Sequence, residues 1–405
     1  MPFRIALSGL NAASADLNVT ANNIANANTV GFKESRAEFS EVFASQSGSL
    51  STSVSGSGVQ LTTVSQSFSQ GNIDFTNNVL DLAIAGQGFF RLSDDGEPIY
   101  SRAGNFSVDR EGFLVNPNGA RLQGYPIDSE DNVNSGILTD LRVIVGTSAP
   151  GETSETELGV NLPAESPQPT ASPFASSDPT TYNHTTSTTI YDSLGSAHTQ
   201  SFYFVKQPAD NTWELYTLID DNQVGPPVTV QFAQDGTLAT PAGGQITLPA
   251  YDPLNGAAPL SVNIDLGETT QFGSAFAVNN LGQDGFTTGR LAGLDVANNG
   301  VIFARFTNGQ AESLGAVAMA RFVNPNGLEQ RNDTSWAETF ESGGVILGEA
   351  STASFGVIQA GALEASNTEL TEQLVNMITA QRNFQSNAQM ITTADEVTQT
   401  VLNIR

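Results

Sequence analysis

The chain has no cysteine, so neither a disulfide nor a thiolate metal site is open to it. It is also short of positive charge. Its 15 Lys and Arg stand against 42 Asp and Glu, and the formal charge of −27 argues against partners held through nucleic-acid phosphates or an anionic membrane surface. No run of about 18 apolar residues occurs, so no membrane insertion is expected. The first residues include Arg4 but lack the apolar core of a cleaved signal peptide; the protein is expected to stay inside or to leave by another route. Histidine occurs twice, at His184 and His198, with no further nitrogen or sulfur ligand at a metal-binding spacing, and both read as surface residues. Nucleophile-elbow, P-loop and dinucleotide motifs are absent, and Gly86-Gln87-Gly88-Phe89 reads as a tight turn. The sequence therefore predicts no enzyme, no catalytic or metal residues and no cofactor.

What is present is a division between the ends and the middle. Phe3, Leu7, Leu10, Ser14, Leu17, Ala21 and Ile24 follow the alternating four-three spacing of a coiled-coil seam, interrupted only by Ser14. The same rhythm passes through Leu363, Leu370, Leu374, Met377, Phe384, Ala388, Ile391 and Leu402, with Val375, Ile378 and Val397 widening the apolar face. A helix of this kind, about 60 Å long at 1.5 Å per residue, needs a partner along its stripe. The partner is either the other end of the same chain or further copies; seams of this length more often mark assembly. The first helix is expected to stop near Asn26 to Asn28, with Gly31 as the terminator.

Between the ends the pattern is strand and turn. Residues 31–75 are Ser- and Gly-rich and read as an extended linker arm or hairpin with a flexible tip. Residues 76–145 and 285–358 read as the two parts of a split middle β domain, each with an Asn-Pro-Asn-Gly turn. Residues 146–284 read as an inserted outer β domain; its first part, 146–182, is rich in Pro, Ser and Thr, a boundary signal, and Lys206 is its one Lys or Arg. With helical segments at 1–30 and 359–405, the predicted fold is α+β: terminal coiled-coil helices enclosing nested, mainly antiparallel β domains.

Two stretches carry a resemblance. Ser8-Gly9-Leu10-Asn11-Ala12-Ala13 with Asn22-Asn23-Ile24-Ala25-Asn26-Ala27-Asn28-Thr29-Val30-Gly31-Phe32-Lys33 resembles the start of the bacterial flagellar rod and hook axial proteins. Gly361-Ala362-Leu363-Glu364-Ala365-Ser366-Asn367 and Met377 to Ala388 resemble their C-terminal pattern. The large insertion and Tyr191-Asp192-Ser193-Leu194-Gly195-Ser196-Ala197-His198 are more similar to the hook branch than to the rod branch.

The resemblance implies a subunit that polymerises with itself into a curved tube, a universal joint carrying torque from rod to filament. It implies the distal rod, a hook cap, a hook-filament junction protein and the flagellar type III export apparatus as partners, and an extracellular location. It also implies that Phe3, Leu7, Leu10, Leu17, Ile24, Leu363, Leu370, Leu374, Met377, Phe384, Ile391 and Leu402 pack subunits together. Asn22, Asn23, Asn26, Gly31 and Phe32 match the family motif, the asparagines being expected to set helix register or to end the helix. The nearest alternative is a distal rod or hook-associated protein of the same family. A different class is a cell-surface glycan-binding adhesin, with Trp213 and Tyr216 as a sugar platform.

Overall fold

The first helix, α1 (Pro2–Ala25), and the last, α2 (Leu370–Asn403), lie side by side and run in opposite directions. The Asn23 amide donates to Gln373 Oε1 at 3.1 Å, and a Cβ on Gly9 would come within 2.5 Å of Asn387 Oδ1. Fourteen residues back along α1 thus match fourteen forward along α2. The computed structural model describes residues 2–42, 56–128, 132–143, 146–352 and 354–403, without the side chains of Pro2 and 401–403. It is mostly β, with these two helices at its ends.

The buried face of α1 differs from the one predicted. Ala6, Ala13, Thr20 and Asn23 are buried on α1, and Gln373 and Ala380 on α2. Small residues let the two backbones approach, and this turns the stripe of large side chains aside by about one residue, or roughly 100°. Leu10, Leu17 and Ile24 are half-buried, as are Met377, Phe384 and Ile391. Phe3, Leu7, Leu370 and Leu374 remain exposed.

Leu363 requires a correction, because it is not helical. It lies in the strand Ala362–Glu364, antiparallel to β3 (Ile73–Phe75), which is labelled after the hairpin strands β1 (Ser35–Glu41) and β2 (Val59–Gln66). Gly361, at φ +65°, ends the preceding strand Val357–Ala360, and pairing with β3 takes the next residues. Helix α2 therefore starts at Leu370, and its 34 residues span about 51 Å, not 60 Å.

The segment 31–75 is tied down at several points, so it is no simple linker. β1 and β2 form an antiparallel hairpin against α1, where Ser8 Oγ accepts from Val59 N at 3.3 Å. Phe68 stacks edge-on against Phe89 and Trp336, with ring centres 5.6 and 5.5 Å away. Trp336 Nε1 donates to Gln66 Oε1 at 2.7 Å. A lone two-stranded hairpin is marginal in water, and these anchors are what hold it. The expected flexible tip, 43–55, lies outside the described residues.

The chain divides into two compact units, one of Met1–Val145, Gly293–Arg305 and Ala311–Arg405, the other of Gly146–Ala292 with Phe306–Gln310. In the first, an antiparallel ladder joins Ala311–Arg321, Arg121–Tyr125, Phe89–Asp94, Glu97–Ser101 and Ser335–Ala337, closing over Phe89, Tyr100, Phe322 and Trp336. In the second, a sheet built on Ala197–Lys206 and Thr212–Ile219 shares its core with one centred on Glu155–Pro163. That central strand runs through the Pro- and Ser-rich stretch read as a boundary; its Leu158, Val160 and Leu162 are core. Pro and Ser dominate only after Pro163. There Phe174 stacks on Tyr216 at 4.1 Å, so this loop too is packed.

Candidate assembly site

Where α1 ends, Asn22, Asn23 and Asn26 have distinct roles. Asn26 Nδ2 donates to Asn22 O at 2.9 Å, and Thr29 Oγ1 donates to Asn26 Oδ1 at 3.2 Å, so this pair occupies carbonyls and turns at the helix end. Asn23 points inward. Its amide donates to Ser35 O at 2.7 Å, and its Oδ1 accepts from Ser35 N at 3.0 Å, while Gln373 donates onward to Glu34 Oε1 at 2.7 Å. Helix α1, β1 and the first turn of α2 are thereby locked in one register. Gly31, at φ +70°, is required twice over: a Cβ there would come within 2.5 Å of Ala103 N.

Beneath this junction is a buried ionic node that the sequence reading did not assign. The Glu364 carboxylate accepts from Lys33 Nζ at 2.7 Å, from an Arg102 Nη at 3.1 Å and from Gly71 N at 2.9 Å. All three charged side chains are almost fully buried. Lys33 Nζ also donates to Ser69 O at 2.7 Å, and the other Arg102 Nη to Gly86 O at 2.9 Å. Burial pushes the Lys33 and Arg102 pKa values down, and the Glu364 charge pulls them partly back. Lys33 and Glu364 both stood within the motifs; what was hidden is that they meet across 331 residues.

The helices leave apolar surface over. On α2, Leu374 and Ile378 are each 50% exposed and Val375 and Val397 58%. Near the free ends, Phe3 meets Met390, Ala394 and Val397 across a groove of about 720 Å³. Leu402 lies in the last turn of α2, and its side chain is outside the described residues.

The chemistry elsewhere is structural. Contrary to expectation His198 is buried, between Asp220 (Nδ1 to Oδ2, 2.5 Å) and Asp192 (Nε2 to Oδ2, 3.2 Å). Both ring nitrogens face carboxylate oxygens, an arrangement that favours the doubly protonated imidazolium. His184 also departs from a plain surface role, stacking flat on Phe276 at 4.5 Å. Trp213 is fully buried, its Nε1 donating to Gln271 Oε1 at 3.2 Å, so the supposed sugar platform does not exist. Among the described residues no cluster of His, Cys, Asp and Glu could hold a metal.

The His198 clamp gives a pH prediction. Burial lowers the imidazole pKa, but hydrogen bonds to Asp220 and Asp192 outweigh it and the net shift is upward from 6.5. Asp192 and Asp220 lie below the usual 3.8; burial opposes the shift, and bonds from Asn255 and the Ser196 backbone to Asp192 and from His198 to Asp220 overcome it. The imidazolium's contribution is complete below pH 6.5 and is lost as pH rises through its folded pKa. The carboxylates' contribution is present above 3.8 and lost as pH falls through theirs. Calorimetry of the full chain should show the second unit losing stability as pH rises above 6.5 and His198→Gln removing most of that slope. An unchanged slope in the variant contradicts the clamp.

Comparison with known proteins follows the same division. The family profile described as flagellar basal body rod protein matches 3–33, and the flagellar hook protein FlgE/F/G D1 domain 83–164. The flagellar basal body protein FlaE D2 domain matches 161–286, and the flagellar basal body rod FlgEFG protein C-terminal profile 359–404. The flagellar hook protein FlgE of Escherichia coli is 38% identical over 414 residues, all of both chains. The chain belongs to the flagellar hook protein family. The family member from Rhizobium meliloti is 34% identical over all of this chain and 98% of its own, and that from Borreliella burgdorferi 32% over 98% of each. The crystal structure of Helicobacter pylori flagellar hook protein FlgE2 overlays on 72% of this chain and all of its own, with a TM-score of 0.53 at 16% identity, a likeness of fold.

Proposed function

We propose that the chain is the structural subunit of the flagellar hook and polymerises into a flexible curved tube that carries torque from rod to filament. The observation that carries this is the large apolar surface on α1 and α2 that their mutual pairing leaves bare. Contacts that join one patch to a different patch on the next copy do not close, and they generate an open helical array. The terminal helices pack as a coiled-coil inner tube, through Phe3, Leu7, Leu370 and Leu374 among others. The β region between them forms a middle shell, and the acidic domain nested within it lies outermost, where weak polar contacts slide as the tube turns.

In this reading the hairpin of β1 and β2 ties one shell to neighbouring copies. The distal rod, hook cap and hook-filament junction protein meet the tube at its ends, and the subunit reaches the outside through the flagellar export apparatus. No helix among the described residues is long and apolar enough to cross a membrane. The family members' shared name and full-length match favour the hook over the rod.

The test is a chain ending at Thr368, which loses α2 but keeps Glu364 and its strand. It should remain a folded β-rich monomer in sedimentation velocity under salt conditions where the full chain grows tubes. Tube growth by the shortened chain contradicts the proposal.

A further inference from the structure

Two features of the β region that carries the helices lie at opposite ends of one hairpin. The hairpin is formed by Glu329–Gln330 and Ser335–Ala337. At its open end two loops are zipped together: Asn324 Nδ2 donates to Glu341 O at 3.0 Å and Asn324 N to Ser342 O at 3.2 Å. Ser342 Oγ in turn donates to Thr339 O at 2.8 Å and accepts from Thr339 N at 3.0 Å. Gly327 sits so close that a Cβ would come within 2.5 Å of the Glu341 carbonyl carbon. From this brace Phe340 projects with 102% exposure, beside Val323 at 79%. A phenyl ring on a slack loop would fold back; here the backbone bonds hold it out. Covered, such a ring hides about 150–250 Å² from water.

At the turn end, Asp333 and Thr334 take left-handed backbone angles, φ +61° and +52°, beside a hollow of about 240 Å³. Its lining includes Thr29, Val30, Ala103, Asn105 and Pro117. The hollow is open on one side and mixed in character: Val30, Ala103 and Pro117 offer apolar surface among Ser101, Asn116 and Asn118, and its volume is enough for a phenyl ring to lie against the apolar part. Val30 is positioned by its neighbour Gly31, whose left-handed backbone only a glycine adopts readily.

We propose that Phe340, supported by Val323, docks into the hollow beside Val30 and Pro117 of the next copy of this chain. The inference rests on the polymer reading. A knob and a hollow at opposite ends of one hairpin repeat head to tail without closing, which is the contact an open array requires. They cannot meet within one molecule, since the hairpin holds them apart. Carboxylates stand on both sides, Glu338 and Glu341 by the knob and Asp333 by the hollow, so this contact tightens as salt screens them.

The absence of cysteine makes the test clean. Tubes of the full chain carrying Phe340→Cys with Asn118→Cys, the latter an exposed residue lining the hollow, should oxidise to a ladder of covalent oligomers. Neither single variant should give the ladder. Phe340→Ala should raise the protein concentration needed for tube growth roughly tenfold, as for an interface hot spot, with an unchanged thermal melt. Tubes that grow at the ordinary concentration and give no ladder overturn the contact while leaving the polymer reading intact. Failure of the unmodified chain to form tubes at any salt concentration removes both.

Discussion

Replacing Glu364 by Gln should lower the stability of the helix-bearing unit by about 3–5 kcal/mol. The carboxylate is the one counter-charge held between Lys33 and Arg102, and all three side chains are out of water. Coulomb attraction in such a site repays desolvation only while the set is complete. Gln keeps the volume and one acceptor but leaves two buried cations facing each other. Arg102 Nε already lacks a partner, so the site has no slack with which to compensate. At roughly 2–4 °C per kcal/mol, the unfolding midpoint should fall by about 10 °C. A triple variant, Glu364→Leu with Lys33→Met and Arg102→Met, should recover most of the loss, because removing every charge removes the penalty as well. Calorimetry on the full chain decides it: a loss below about 1 kcal/mol in the single variant would mean the node is hydrated or dispensable.

The node also shows what could and could not be read from residue order. A helix at each end of the chain and the turns at Asn116 and Asp192 follow from local preference, and the structure has each of them; Gly31 does not terminate α1, which already ends at Ala25, and its N–H bonds instead to Glu364 O. Leu363 was misplaced because it keeps the apolar rhythm of α2, while its strand partner Asp74 lies far away in the sequence. The face of α1 that meets α2 was misjudged for a related reason. Periodicity weights large side chains, whereas close helix approach selects small ones such as Ala6, Gly9 and Ala13. His198 looked ordinary because its two aspartates come from separate turns, and only the sheet brings Asp192 and Asp220 to either side of it. Charges that become buried carry no local mark in a sequence.

The second large effect concerns the helices themselves. Leu374, Val375, Ile378, Met390 and Val397 are about half exposed, and covering what remains of them is worth about 4–7 kcal/mol. In a single molecule that contribution is missing, and α2 is supported mainly along the seam formed by Gln373, Met377, Ala380 and Phe384. Its last turns also run beyond the start of α1, since Phe3 already lies level with Thr393. Opening of α2 should therefore cost little in the monomer, least of all beyond Thr393. Once neighbours cover the outer face, local opening has to uncover all of it. At 1.4 kcal/mol per factor of ten, amide protection along α2 should rise roughly a thousandfold or more on assembly.

Hydrogen exchange of α1 and α2, measured in the monomer and again in assembled tubes, tests the central claim most directly. The expected result is rapid exchange in the monomer, fastest after Thr393, and strong protection of both helices in the tube with the β units nearly unchanged. Helices already fully protected in the isolated chain, with no further slowing on assembly, would mean that the bare surface is not where the subunits join.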